Sequence, residues 1–291
     1  MTASSRVASR IVSVLGATGF QGSAVVRALL KDRAFTPRAI TRNPASETAL
    51  KLKAEGAEVV QGDPLDKESL VAALRGSEAV YGVTVLMPPH QSRGRGFFVF
   101  PSSPSLAKIS GGKYKNALAC DHKNVVEEYL KASGIPNASL HPGTFLENFY
   151  RFGALKKTET GFDIAIPNYA PTSLSSFTWV RRDVPAVVLA LLKNYHDPAK
   201  NTSGRSYPVV TAKMTYPELA NLVGKALNAE VTFTSTPPIG VLHRDEMFAC
   251  LSEHNGLFPE TPVPNPDLVA LGVEFSTLQE FLDEDLKPRF T

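Results

Sequence analysis

Cysteine is nearly missing from this chain: Cys120 and Cys250 are the only two among 291 residues. So few thiols leave no disulfide framework to hold a fold together, and no apolar secretory stretch opens the sequence. The expected setting is therefore a reducing interior, cytoplasmic or nuclear. Long apolar runs are missing too, which excludes membrane-spanning helices, and no internal repeat suggests a solenoid or propeller. Charge of one sign is in no large excess, since 31 basic and 28 acidic side chains leave a net +3. Arg93/Arg95 and Arg181-Arg182 are isolated pairs and not a basic stripe, so no direct nucleic-acid partner is expected. Neither a membrane nor a metal enters the reading. What is present, 43% hydrophobic and 20% charged residues, suits a globular protein with a large core.

Strands and helices alternate through the first half. Ile11 to Leu15 is a short β-prone run ending at a glycine, and the following stretch puts Val25, Val26, Leu29 and Leu30 on one helical face. Further strands are read at Pro37 to Thr41, Ala57 to Gln61, Glu78 to Val83, Phe97 to Phe100 and Ala138 to His141. Helices are read over Ser46 to Gly56, over Lys67 to Arg75 behind an Asp66 cap with Leu70, Val71 and Leu74 inward, and from an Asp121 cap to Ser133. Such alternation predicts an α/β fold, a doubly wound parallel sheet of Rossmann type with helices on both faces. After Thr144 the pattern loosens. Helices are expected at Asp183 to Lys193, Tyr216 to Asn228 and Ser276 to Leu286, a strand at Val231 to Thr234, and a proline-rich loop over Phe258 to Asp267. The domain reading is a disordered tail at 1–10, a nucleotide-binding unit at 11–150, and a smaller α+β region at 151–291 packed on it, interleaved and not independent.

Between the first strand and first helix lies Gly16-Ala17-Thr18-Gly19-Phe20-Gln21-Gly22. The first glycine permits a tight turn, and the later ones let a diphosphate and the following helix approach the backbone closely. The helix N-terminus adds oriented N–H groups and a positive partial charge. Glycine triplets alone are weak signals, but strand before and helix after make this one a nucleotide loop. A carboxylate at the end of the second strand would bind a ribose 2′-hydroxyl, whereas a cation accommodates a 2′-phosphate. Here Arg42 stands in Thr41-Arg42-Asn43-Pro44, with no acid before Glu47, so NADP(H) is expected over NAD(H); the alternative is a solvated surface arginine. Asp63, after the third strand, faces an adenine edge or serves as a turn residue.

With these residues in hand, the chain resembles the NmrA-like family, atypical relatives of the short-chain dehydrogenases that include nucleotide-sensing regulators and reductases. The resemblance covers most of the chain. It rests on the loop at 16–22, Thr-Arg-Asn-Pro at 41–44, Gly-Asp-Pro-Leu-Asp at 62–66, Val-Tyr-Gly-Val-Thr at 80–84, Ile-Ser-Gly-Gly-Lys-Tyr at 109–114 and Pro-Gly-Thr-Phe-Leu-Glu-Asn-Phe at 142–149. It implies an NADP(H) site, with Pro142 and Gly143 among the cofactor-binding residues. It also implies a lysine near the nicotinamide ribose, here Lys123, whose ammonium could bond ribose hydroxyls and stabilise charge developing on a substrate oxygen. Lys123 otherwise reads as a solvated residue of the first helical turn.

Two departures stand out. The Tyr-x-x-x-Lys pairing of short-chain dehydrogenases is missing, since position 119 is alanine and Tyr114 has the wrong spacing; His122 and His141 are conceivable acids or structural histidines. The stretch 85–96, with adjacent prolines and two glycines, is too short for the helix that family members carry there. A partly uncovered sheet face is expected, with a homodimer through it or reduced stability as the result. Three functions are in play: an NADP(H)-dependent reductase of a small carbonyl, enone or imine, a redox sensor that binds the cofactor and signals to a protein partner, and, least supported, a DNA binder. Phe145, Phe149 and Trp179 are plausible pocket walls or plain core.

Overall fold

The computed structural model describes residues 10–83 and 96–290. The tail reading at 1–9 and the shortened connection at 85–95 lie outside the described residues. The elements run β1 (Ile11–Leu15), α1 (Phe20–Asp32), β2 (Thr36–Thr41), α2 (Glu47–Ala54), β3 (Glu58–Gln61), α3 (Lys67–Leu74), β4 (Ala79–Tyr81), β5 (Phe97–Pro101), α4 (Leu106–Ile109), α5 (Leu118–Ala132) and β6 (Asn137–Pro142). Then come β7 (Thr144–Phe145), α6 (Asn148–Arg151), β8 (Leu155–Lys157), β9 (Gly161–Pro167), β10 (Leu174–Thr178), α7 (Val180–Asn194), β11 (Arg205–Val209), β12 (Ala212–Thr215), α8 (Tyr216–Leu227), β13 (Glu230–Thr236) and α9 (Leu242–Glu253). Short helices α10 (Pro266–Ala270), α11 (Leu278–Phe281) and α12 (Lys287–Phe290) close the chain, the last two joined by a π-helical turn at Leu282–Leu286.

Seven strands form one sheet in the order β11-β6-β5-β4-β1-β2-β3, every pairing parallel. The order reverses beside β1, which is the position where a doubly wound sheet opens a crevice at its carboxyl edge. One face is covered by α1 and α7. Val25, Val26 and Leu29 from α1 and Val184, Val187, Val188 and Leu191 from α7 are buried with Val12 and Val14 of β1, each such side chain contributing about 1.5–3 kcal/mol of transfer free energy. A second core lies under the small sheets β12-β10-β7 and β13-β9-β8, where Phe149, Phe177, Trp179, Tyr216 and Phe281 pack together.

Local rules failed at particular places. Asp121 does not cap a helix: α5 begins three residues earlier, and the Asp121 carboxylate instead accepts from Ser105 Oγ at 2.7 Å and Ala107 N–H at 3.2 Å, tying α5 to the start of α4. Val71, expected inward on α3, is exposed, because the side of α3 against the sheet is filled by Leu70 and Ala73. β11, which completes the large sheet, and α9 were not foreseen. The predicted last helix, Ser276 to Leu286, starts later because Thr277 forms a capping box with Glu280.

Candidate functional site

The glycine loop turns at Gly16, whose φ of +62° is one that L side chains rarely adopt. Gly19 is the N-cap of α1, and no side chain caps the helix; its first turn contains no acid. Among the described residues, the first N–H groups of α1 therefore have neither intrahelical nor side-chain acceptors. Gly22 is buried under the loop, and a Cβ there would stand 2.3 Å from Gly16 O. Ala17 is buried, whereas Thr18, Phe20 and Gln21 are partly accessible and Gly19 is exposed. The Gln21 side chain accepts a hydrogen bond from the buried Tyr81 hydroxyl at 3.1 Å, which fixes the loop to β4. An open glycine cradle with free donors fits a diphosphate.

The other predicted residues fall along the same sheet edge. Arg42 follows β2, is exposed, and has no acidic partner among the described residues. Asp63 follows β3 and its Oδ1 accepts the Leu65 N–H at 3.0 Å, an Asx turn that engages one carboxylate oxygen. Pro142 ends β6. Gly143 is held by packing: a Cβ would meet Ser176 O at 2.3 Å, and its N–H donates to Thr178 Oγ1 at 2.8 Å.

Lys123 sits in the second turn of α5, not the first, and is partly buried. Its backbone carbonyl accepts from the buried Ser102 hydroxyl at the end of β5, at 3.2 Å. In the sheet order β5 lies two strands from β1, about 10 Å across at the usual spacing. Burial lowers the Lys123 ammonium below the usual lysine range, with the neighbouring Cys120 thiol opposing that shift. No carboxylate pairs with its amine among the described residues.

Sequence reasoning missed two buried carboxylates. Glu127, one turn beyond Lys123, approaches His141 Nε2 and Lys131 Nζ, each at 2.7 Å, and also accepts from Ser206 Oγ. Burial opposes its charge, but the bond and charge of His141 together with Lys131 hold it well below the usual carboxylate range. His141 is thus engaged, while His122 is exposed. Nothing in the local sequence announces that pair, because β6 and α5 bring it together only through the sheet. Glu147 is completely buried, and its carboxylate accepts the N–H groups of Arg181 at 2.9 Å and Val180 at 3.2 Å. Burial pushes it up to about 7. An acid inside the apolar run Phe145-Leu146-Glu147 was the one available signal. Phe149 and Trp179 belong to the second core, and Phe145 packs against the first. Tyr114 donates its hydroxyl to Glu253 at 2.7 Å.

A doubly wound parallel sheet whose first strand ends in an open glycine cradle defines a Rossmann-type protein. The chain belongs to the NmrA-like family, whose pattern matches residues 8–282. It is 60% identical over 72 residues to the NmrA-like family domain-containing oxidoreductase notA of an Aspergillus species, a stretch covering 25% of this chain and 21% of that protein. The chain thus spans about a fifth of that relative's length in the matched region. It is 30% identical over 241 residues to the oxidoreductase notA′ of Aspergillus versicolor, covering 72% of this chain and 67% of that one. The fold is similar to the crystal structure of NmrA, a negative transcriptional regulator, in complex with NADP, with a TM-score of 0.75 at 16% identity over 97% of this chain and 96% of that one. Among the described residues no helix is long and apolar enough to cross a membrane.

Proposed function

We propose that this chain binds NADP(H) at the carboxyl edge of the large sheet and acts as an oxidoreductase reducing a small organic carbonyl, enone or imine. The observation that carries the reading is that Lys123, partly buried and with its amine paired to no described carboxylate, is tied through its backbone to Ser102 after β5, two strands from an uncapped glycine loop. The names of notA and notA′ as oxidoreductases, and the NADP complex of NmrA, support it. In this reading residues 11–150 hold the dinucleotide and 151–291 cover it. The loop from Gly16 to Gly22 takes the diphosphate, Arg42 the 2′-phosphate, Asp63 the adenine edge, and Pro142, Gly143 and Lys123 the nicotinamide ribose. The bound nicotinamide supplies the hydride. Lys123 Nζ holds a proton beside the reacting oxygen, and its desolvation makes it a readier donor than a surface lysine. NADPH oxidation across a panel of aldehydes, ketones, enones and quinones tests the proposal; binding without turnover on every member would overturn it.

A second reading, a redox sensor acting on a protein partner, is favoured by one observation. The Tyr114 hydroxyl is spent on Glu253, so that tyrosine is not offered to the site. Binding without turnover would select this reading. The homodimer through a sheet face left partly uncovered by the short 85–96 connection is proposed as well, and a monomer by light scattering with a high melting temperature would refute it.

A further inference from the structure

The last turn of α6 and the first turn of α7 each carry an arginine to the same place. The Arg151 guanidinium lies over the Phe20 ring with its Cζ 3.9 Å from the centroid, and Arg181 lies 6.0 Å from that same centroid. Arg151 is also 5.2 Å from the ring of Phe152, which is largely exposed. Phe20 is the first residue of α1 and part of the glycine loop. Two cations from the C-terminal half of the chain are therefore stacked on the loop of the N-terminal half.

Neither guanidinium has an acidic partner among the described residues, although Arg10, Arg27, Arg38, Arg205 and Arg289 each do. Two like charges sharing one ring are mutually repulsive, and an exposed aromatic face does little to offset that. Their placement is built in from below by Glu147. Its side chain accepts the Arg181 N–H at 2.9 Å, and its backbone carbonyl accepts the Arg151 N–H, also at 2.9 Å. One fully buried residue thus ties the backbones of both arginines, and the Phe20 ring gathers their guanidinium groups without neutralising either charge. Guanidinium N–H groups match pairs of phosphate oxygens bidentately.

We infer that Arg151 and Arg181 form a clamp that takes the diphosphate of the dinucleotide together with the glycine loop on which they stack. The inference rests on the nucleotide reading of that loop. Ligand binding would then tie the C-terminal half down onto α1. A substrate anion is the competing occupant, and the two are separable because a diphosphate is already present in NADPH alone.

The test compares NADPH with adenosine 2′-monophosphate, which carries the 2′-phosphate but no diphosphate. In the double variant Arg151→Ala/Arg181→Ala, the NADPH affinity falls roughly ten- to hundred-fold, as for loss of charge-assisted hydrogen bonds. Binding of the monophosphate is unchanged, and the dependence of NADPH affinity on salt becomes shallower. Single Arg→Lys variants, which keep charge but lose the fork, recover part of the affinity. Unchanged NADPH affinity in the double variant overturns the clamp, and an equal loss for both ligands overturns it as well, by showing a structural role only. Failure of the wild-type protein to bind NADPH at all is a different result, which removes the nucleotide reading itself.

Discussion

Replacing Gly22 by alanine and, separately, Gly19 by alanine divides what the loop does for the fold from what it does for the ligand. At Gly22 an added Cβ would sit 2.3 Å from Gly16 O, 2.8 Å from Gly16 C and 3.0 Å from Ala17 Cα. All three are backbone atoms, which cannot rotate aside, so α1 must retreat by about 1 Å to reach ordinary contact. That helix buries Val25, Val26 and Leu29 against the sheet and α7, and a gap of this size forfeits a quarter to a half of each dispersion contact it opens. Overpacking of this kind costs about 1–3 kcal/mol, which for a chain of this size lowers Tm by roughly 2–10 °C. At Gly19, its chain neighbours aside, the only atom within 4 Å among the described residues is Gly16 O at 3.1 Å, and φ is −82°, a conformation open to any residue. The methyl group there stands on the open side of the cradle. Gly19→Ala is expected to lower Tm by at most a few degrees, since it costs an N-cap glycine and a small shift of the Gly16 carbonyl but leaves the core untouched, yet to weaken NADPH binding about ten-fold by holding the diphosphate off the α1 N–H groups. Thermal melts and NADPH fluorescence titration on both variants provide the check. Gly19→Ala with wild-type affinity would show that the loop does not carry the ligand, and Gly22→Ala with an unchanged Tm would refute the packing argument.

Arg42→Ala should lower affinity for NADPH about ten-fold or more while leaving NADH nearly unchanged, as expected for losing a charged hydrogen-bond partner; parallel titrations that fall together would end the selectivity argument. Lys123→Met should abolish turnover yet keep NADPH affinity within a few-fold, and retained kcat would remove the catalytic assignment. Glu147 makes stability depend on pH in a defined window. Its folded pKa is pushed up to about 7 by burial, from an ordinary 4.5, so between those values the folded state holds more protons than the unfolded one. Stability therefore falls as pH rises from 4.5 to 7 and levels off above, by about 3 kcal/mol in total. Glu147→Gln, which has no proton to lose, should flatten that part of the denaturation profile; an identical slope in both proteins would contradict the assignment.

The features legible from sequence are those whose causes are local. The glycine spacing at 16, 19 and 22 is imposed by a turn and a helix that must nearly touch, and that steric demand is written in the residues themselves. The alternation of strand and helix through Pro142 follows from hydrophobic periodicity and caps, and it sufficed for the parallel sheet. Where local rules had two solutions, tertiary partners chose. Asp121 is as good a cap as any, but Ser105 and Ala107 claimed its carboxylate. β11 reads poorly as a strand because Arg205 and Ser206 interrupt it, and it becomes one by pairing with β6. The pairing of Glu127 with His141, the bond from the Glu147 carboxylate to the start of α7, and the meeting of Arg151 and Arg181 on Phe20 have no signature in any window of sequence. Their partners lie on separate elements, and only the packing of α5, α6 and α7 around the sheet decides that those charges share a site. The sequence by itself determined the Rossmann frame and the glycine turn between its first strand and helix, because both follow from backbone sterics and burial; the tertiary structure alone decided which charged groups surround that turn, because charge placement depends on neighbours distant in the chain.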